Sequence, residues 1–184
     1  MNLRKAELKD KKNIQEIIRL LHKAVHLNSF EFIWEDEEFI EKQITNEEYF
    51  LAEIDGKIVG IISFRQRGDI MYIETLVVIK EYRLQGIGIK LIEFAKQYTK
   101  EKGLFTIRAC SFFEYQAVDF YMKQGFSLLK NPGEYKGYKF HRFQEEIIEN
   151  RTFFKINKSY LKGMKFILLL MKKLYKKNQE RFNF

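Results

Sequence analysis

At 184 residues, 46% apolar and 32% charged, the chain has the size and composition of one globular domain, which excludes general disorder and leaves no room for a second full domain. Its single cysteine, Cys110, excludes a disulfide framework and a cysteine-based zinc site, and suits a reducing, cytoplasmic setting. The net charge of +8 is uneven: residues 1–145 hold 23 basic and 22 acidic side chains, a balance of +1, whereas residues 146–184 hold 10 and 3, a balance of +7, so the basicity belongs to a tail and nucleic-acid binding is not expected of the body.

The opening MNLRKAELKDKK carries no apolar run behind its charges, so no signal peptide is expected. Residues 2–5 predict a short strand. Asp10 then precedes a helix with Ile14, Ile17, Ile18, Leu21 and Val25 on one stripe. Residues 28–34 read as a break with exposed aromatics. A second helix follows, with Phe39, Ile40 and Ile44 inward and acidic residues 35–38 at its dipole-favoured start. The period then changes to two. YFLAEI, Asp55-Gly56 and KIVGIISFRQ form a predicted hairpin, and IMYIETLVVI a third strand after Gly68-Asp69. Helical spacing returns over 87–102 and stops at Gly103. LFTIRACS reads as a strand, 114–124 as a short helix, FSLLK as a strand and YKGYKFHRFQ as one more. The order implies an α/β (α+β) fold whose sheet is mixed and mostly antiparallel.

The most informative segment is Leu76 to Ala95, where a strand runs into Arg83-Leu84-Gln85-Gly86-Ile87-Gly88 and then a helix. Glycines let backbone N–H groups approach a ligand and point one way, and a helix N-terminus adds partial positive charge, which suits a pyrophosphate. A strand-to-helix turn that merely needs glycine is the plainer alternative. Ile89 and Lys90 after Gly88 exclude a P-loop, and Leu91 replaces the third glycine of a dinucleotide fingerprint.

With Leu76-Val77-Val78 before Arg83-x-x-Gly86-x-Gly88, and AVDFYMKQGF at 117–126, the chain resembles the GNAT superfamily of acyl-CoA N-acyltransferases over residues 1–145. The resemblance implies acetyl-CoA as co-substrate and no metal. Backbone amides of Arg83, Leu84, Gln85, Gly86, Ile87 and Gly88 would hold the pyrophosphate, with side chains at 84, 85 and 87 free to vary. Leu76, Val77 and Val78 would pair with the pantetheine arm as an added strand. Tyr121 stands where the family often supplies the proton for the departing thiolate. A packed core tyrosine is the alternative.

Glu74 is the expected base, or else a substrate-orienting or structural carboxylate. Strict alternation would put it on one strand face with Tyr72 and Leu76. In this family the acceptor enters between the first two helices and the sheet end, so Phe30, Trp34, Glu35 and Tyr72 are expected substrate contacts. Their aromatics and carboxylates suit a cationic amine. His22 and His26, at i and i+4, have the spacing of metal ligands but no third partner, and Cys110 reads as a buried, inert thiol.

The function these residues imply is acetyl transfer from acetyl-CoA to a primary amine by direct attack. The alternative is a non-catalytic acyl-CoA-sensing module that recruits a partner or membrane through its tail. Residues 146–184 form a separate basic extension with a predicted helix over about 159–181. Its apolar centre, Phe166 to Met171, is too short to span a bilayer. Packing, including a homodimer, is the first expectation for it, an anionic membrane surface the second and nucleic acid the last.

Overall fold

The structure, a computed structural model, describes residues 1–27 and 32–147. The expected tail helix and Phe30 therefore lie outside the described residues. Met1 to Ile147 form one compact unit. Among the described residues, no helix is long and apolar enough to cross a membrane.

Eight strands form one sheet: β1 (Asn2–Lys5), β2 (Tyr49–Ile54), β3 (Lys57–Arg67), β4 (Ile70–Val78), β5 (Thr106–Phe112), β6 (Ser127–Leu128), β7 (Gly133–Tyr135) and β8 (Tyr138–Glu146). The order is β1-β2-β3-β4-β5-β8-β6, with β7 on β8. Every pairing is antiparallel except β4 with β5. The mixed sheet inferred from the order of elements is thus the observed one. Asp55 and Gly56 both take positive φ, 50° and 74°, as a two-residue hairpin turn requires. YKGYKFHRFQ departs from expectation. Lys136 and Gly137, at φ 50° and 83°, make a second such turn, so the segment is the β7–β8 hairpin rather than one strand.

Helices cover both faces. On one lie α1 (Lys11–Ala24) and α2 (Glu37–Thr45), whose Ile14, Ile18, Ile40 and Ile44 pack on Tyr49, Leu51, Ile61 and Val77. On the other lie α3 (Ile87–Glu101) and α4 (Val118–Lys123), with Leu91, Ile92, Ala95 and Tyr121 against Ile62, Phe64, Ile107 and Phe143. Each helix buries one apolar stripe, the arrangement its 3.6-residue spacing dictates. A third cluster, Leu27, Phe32 and Phe112, closes the sheet end. Phe32 is 3% exposed and packs on Phe112 at 5.3 Å and Tyr138 at 5.5 Å. The described aromatics of the 28–34 segment are therefore packing residues, against the expectation of exposure. A lone linear motif cannot show the apolar partner waiting on β5 and β8.

Candidate active site

The site begins where the sheet stops being continuous. β4 and β5 pair in parallel only from Ile70↔Thr106 to Ile73↔Ala109, although β4 runs on to Val78 and β5 to Phe112. Beyond those pairs β5 bonds to β8 on its other side and β4 to β3. The facing edges of Glu74–Val78 and Cys110–Phe112 are thus unpaired with each other, and an extended chain can be added there as a strand.

Glu74 marks the start of this opening. In the β3–β4 register Ser63 faces Thr75 and the next residue, Phe64, faces Ile73, so Glu74 is the extra residue of a β-bulge. A bulge re-aims side chains. Ile73 packs on the α3 side, and after the bulge Leu76 and Val78 do so too, whereas Val77 joins the α1–α2 side. The expected shared face of Tyr72, Glu74 and Leu76 is corrected accordingly: one extra residue breaks the alternation between 74 and 76. The Glu74 side chain, only 7% exposed, accepts from Arg65 Nε at 2.8 Å and lies 3.4 Å from Arg67, both at Oε1. Trp34 Nε1 donates to Oε2 at 3.2 Å. Two residues proposed from sequence, Trp34 and Glu74, are therefore brought into contact across 40 positions.

At the far end of β4 the chain turns through Lys80–Tyr82 into the glycine loop. Arg83 Nε donates to the Val78 carbonyl at 3.0 Å, which ties the loop to the strand end. Leu84 and Gln85 are exposed, but Ile87 is 4% exposed and belongs to the core, so freedom to vary holds for 84 and 85 only. Gly86 is the N-cap of α3 at φ 79°. The amides of Ile87, Gly88 and Ile89 lie in the first turn of this 15-residue helix, where no intrahelical carbonyl is available to them. They face outward with the positive helix end, the arrangement that binds phosphate. A Cβ on Gly88 would come within 3.3 Å of the Phe120 ring, so this glycine also lets α4 approach the loop.

Tyr121 of α4 is 5% exposed and stacks on Phe143 with ring centroids 4.5 Å apart. Burial pushes its phenol pKa well above the usual tyrosine range, and the charge of an ionised Cys110 adds a smaller push. Its ring also meets Phe120 at 5.3 Å and Phe126 at 5.5 Å. At neutral pH the phenol holds its proton and can only donate it.

A family model described as the acetyltransferase (GNAT) family matches residues 16–126, a span that contains β4, the glycine loop, α3 and Tyr121. The chain belongs to the GNAT acetyltransferase family. Solved structures agree on the fold. A GNAT-family acetyltransferase from Staphylococcus aureus Mu50 superposes with a TM-score of 0.69 at 22% identity, covering 80% of this chain and 99% of that one. An aminoglycoside 6′-N-acetyltransferase complexed with coenzyme A gives 0.64 at 17%, over 82% and 99%. N-acetylglutamate synthase from Neisseria gonorrhoeae, complexed with coenzyme A and N-acetyl-glutamate, gives 0.68 at 19%, over 80% of this chain and 35% of that one.

The acceptor-side residues of this GNAT chain are arranged differently from the sequence reading. Glu35 is 5% exposed, and its carboxylate is bonded to His22 Nδ1 and lies 3.5 Å from Arg19. Gln15 Nε2 donates to its carbonyl at 2.7 Å. Expected to meet an amine, Glu35 instead fixes the α1–α2 connection through its bonds to Gln15 and His22. Asp36 caps α2 by accepting from the Phe39 N–H at 2.8 Å, and Glu37 lies 3.6 Å from Lys11. His22, 4% exposed, packs on Phe32 at 5.0 Å. Among the described residues, no three His, Cys, Asp or Glu side chains gather as a metal site needs. Tyr72 lies beside the opening, with its hydroxyl accepting from Arg108 Nη1 at 3.1 Å and Arg67 over its ring at 5.2 Å.

Cys110 is exposed rather than buried, yet its thiol is desolvated by its packing and pushed up to about 11, chiefly by that desolvation and then by Glu74. Sequence reasoning missed Arg65, Arg67, Arg108 and Arg142. Their period-two placement on β3, β5 and β8 was the available signal, but the cross-strand register that gathers them was not.

Proposed function

We propose that the chain transfers an acetyl group from acetyl-CoA to a primary amine by direct attack in a ternary complex. The observation that carries this reading is the β4–β5 opening, with Glu74 at its start and the glycine loop following the far end of β4. The Arg83 N–H is already spent on the Lys80 carbonyl at 3.2 Å, so the amides of Leu84 to Gly88 receive the pyrophosphate, and the free edge of Leu76, Val77 and Val78 pairs with the pantetheine arm. Acetyl-CoA supplies the activated acyl group; the chain's own residues align it and manage protons. Glu74 Oε2, bonded only by Trp34 among the described residues, keeps a lone pair for the amine or an intervening water. Oε1 is held by Arg65 and Arg67. Tyr121, protonated across the neutral range, donates to the leaving thiolate. Trp34 and Tyr72 line the acceptor side.

The carboxylates that suggested a cationic acceptor do not support it as placed, because Glu35, Asp36 and Glu37 are engaged within the fold. A cytoplasmic setting is part of this reading, supported by the single cysteine.

The test is a panel of primary amines assayed for CoA release from acetyl-CoA, with Tyr121→Phe as control. Tyr121→Phe is expected to slow turnover by roughly 10²–10⁴-fold with little change in CoA affinity. An equal rate from pH 6 to 9 removes Tyr121 from the mechanism. Glu74→Gln shifts the pH–rate profile if Glu74 takes the proton; an unshifted profile leaves it the orienting role. A wild-type protein that binds CoA by calorimetry but turns over no amine would favour the sensing module instead.

A further inference from the structure

Four arginines that no motif accounts for meet on the sheet face between Tyr72 and the opening. Cross-strand register builds two rows. In the first, Arg65 faces Tyr72, Tyr72 faces Arg108, and Arg108 faces Gln144. In the second, Ile73↔Ala109 is the last parallel pair, so Glu74 and Cys110 stand level across the opening, and Cys110 faces Arg142. The Tyr72 ring lies between two guanidiniums, Arg67 at 5.2 Å and Arg108 at 6.0 Å from its centroid. Register thus sets Arg108 and Arg142 at two positions that neighbour Cys110 along and across the sheet, and the Cys110 thiol also senses the charges of Glu74, Arg142, Arg67 and Arg108.

The charges do not cancel. Arg65 and Arg67 share one carboxylate, Glu74. Arg108 bonds only neutral oxygens, Gln144 Oε1 at 2.7 Å and the Tyr72 hydroxyl at 3.1 Å. Arg142 Nε donates to the Asn131 carbonyl at 2.8 Å. Among the described residues neither has an acidic partner within ion-pair distance. Two other carboxylates lie nearby. Glu48 senses Arg65 and Glu74, on the β3 side. Glu146, exposed at the end of β8, accepts from Thr106 and Gln144. Arginines held in place by neutral acceptors keep their remaining N–H donors for an oxyanion, which a guanidinium fork matches in shape.

We infer that the acceptor amine carries a carboxylate, which Arg108 and Arg142 hold while Glu74 and Trp34 receive the amine. This rests on the transferase reading above and names its substrate class: amino acids or short peptide-like amines with a free carboxylate, rather than polycations. In the sheet Arg108 is one strand and two residues from Glu74 and Arg142 is two strands away, about 10 Å, a separation that the long, flexible arginine stems have to bridge to meet a carboxylate carried by the amine.

Two measurements on the full chain test it. First, Cys110 is the one cysteine in the sequence, so alkylation reports the potential at the opening. The rate with anionic iodoacetate, divided by that with neutral iodoacetamide at pH 8.5 and normalised to the uncharged thiol 2-mercaptoethanol, should exceed one by roughly threefold or more. It should fall toward one in 0.5 M salt and in Arg108→Gln and Arg142→Gln. A ratio at or below one overturns the proposal. Second, CoA release should be compared for matched acceptors, an amino acid and its amide. The carboxylate member should have the lower KM, and Arg142→Gln should raise that KM by about tenfold while leaving the amide unchanged. Turnover that prefers the amides, with the arginine variants indifferent, overturns the carboxylate site and leaves acetyl transfer standing. A protein that binds CoA but acetylates neither member overturns the transferase reading and the acceptor class with it, whereas acetylation of the amide alone overturns only the carboxylate site.

Discussion

Gly86 and Gly88 look alike in the motif but serve different physical needs. Gly86 sits at φ 79°, and a Cβ there would meet nothing within 4 Å. Its demand is conformational, and Gly86→Ala should cost about 1–2 kcal/mol of stability, the ordinary penalty of a left-handed conformation for an L-residue. Gly88 has no such φ, and its demand is the Phe120 ring at 3.3 Å. Gly88→Ala should therefore weaken CoA affinity by disturbing the α3–α4 approach, and Phe120→Leu should restore part of the loss. Calorimetry of the two single variants and the double variant reads the coupling directly. Additive losses would show that the two residues do not interact. The same scale explains Tyr121. Its tyrosine type was legible from the motif, but the aromatic packing that lifts its phenol pKa comes from Phe143 on β8 and was not.

At the scale of elements, one bulged residue decides the site. Without it Glu74 would sit in regular alternation; with it, Leu76 and Val78 turn toward α3 while Glu74 reaches Trp34 and the arginines. A second device holds the first element to the first helix. Arg4 of β1 donates to Asp10 at 2.7 Å and 3.0 Å and to Glu53 of β2 at 2.9 Å. The Arg4 guanidinium holds the Asp10 carboxyl below its ordinary value of 3.8. A carboxyl with a folded pKa below its unfolded one binds more protons when unfolded, so its contribution is present above about pH 4 and lost as pH falls through the folded value. Urea midpoints should drop between pH 5 and pH 2.5 in the wild type, and the drop should shrink in Arg4→Gln. Equal pH dependence in both would show that the pair does not couple to folding.

For the whole molecule, the charge asymmetry separates two parts. The body, with a balance of +1, contains the loop, the opening and both residues proposed to handle protons, all before Ile147. The tail carries +7 and the unbroken apolar run Phe166–Met171. From sequence, packing of this apolar run is proposed ahead of a membrane surface. Removing residues 150–184 should leave CoA affinity intact while changing the sedimentation mass or causing aggregation. A truncated chain that stays soluble, equally stable and unchanged in mass excludes packing; salt-sensitive co-sedimentation of the full chain with anionic vesicles would then point to a membrane surface.

What the sequence determined by itself was whatever depends on neighbours in the chain. Helical stripes, the Asp55-Gly56 turn and the glycine loop before α3 are local chemistry, and family membership followed from two such segments at the right separation. What depended on register was decided only by the tertiary structure. The β7–β8 turn at Lys136-Gly137 was hidden because a polar-aromatic alternation reads the same in one strand or two. Glu35 looked like an acceptor contact because nothing local shows that His22, 13 residues earlier, comes round to meet it. Arg108 and Arg142 lie 34 positions apart and reach one face only because β5 and β8 pair residue by residue. Strand register is set by burial of opposite faces and by turn geometry acting together, so the charge of this sheet face could not be read before the sheet was assembled.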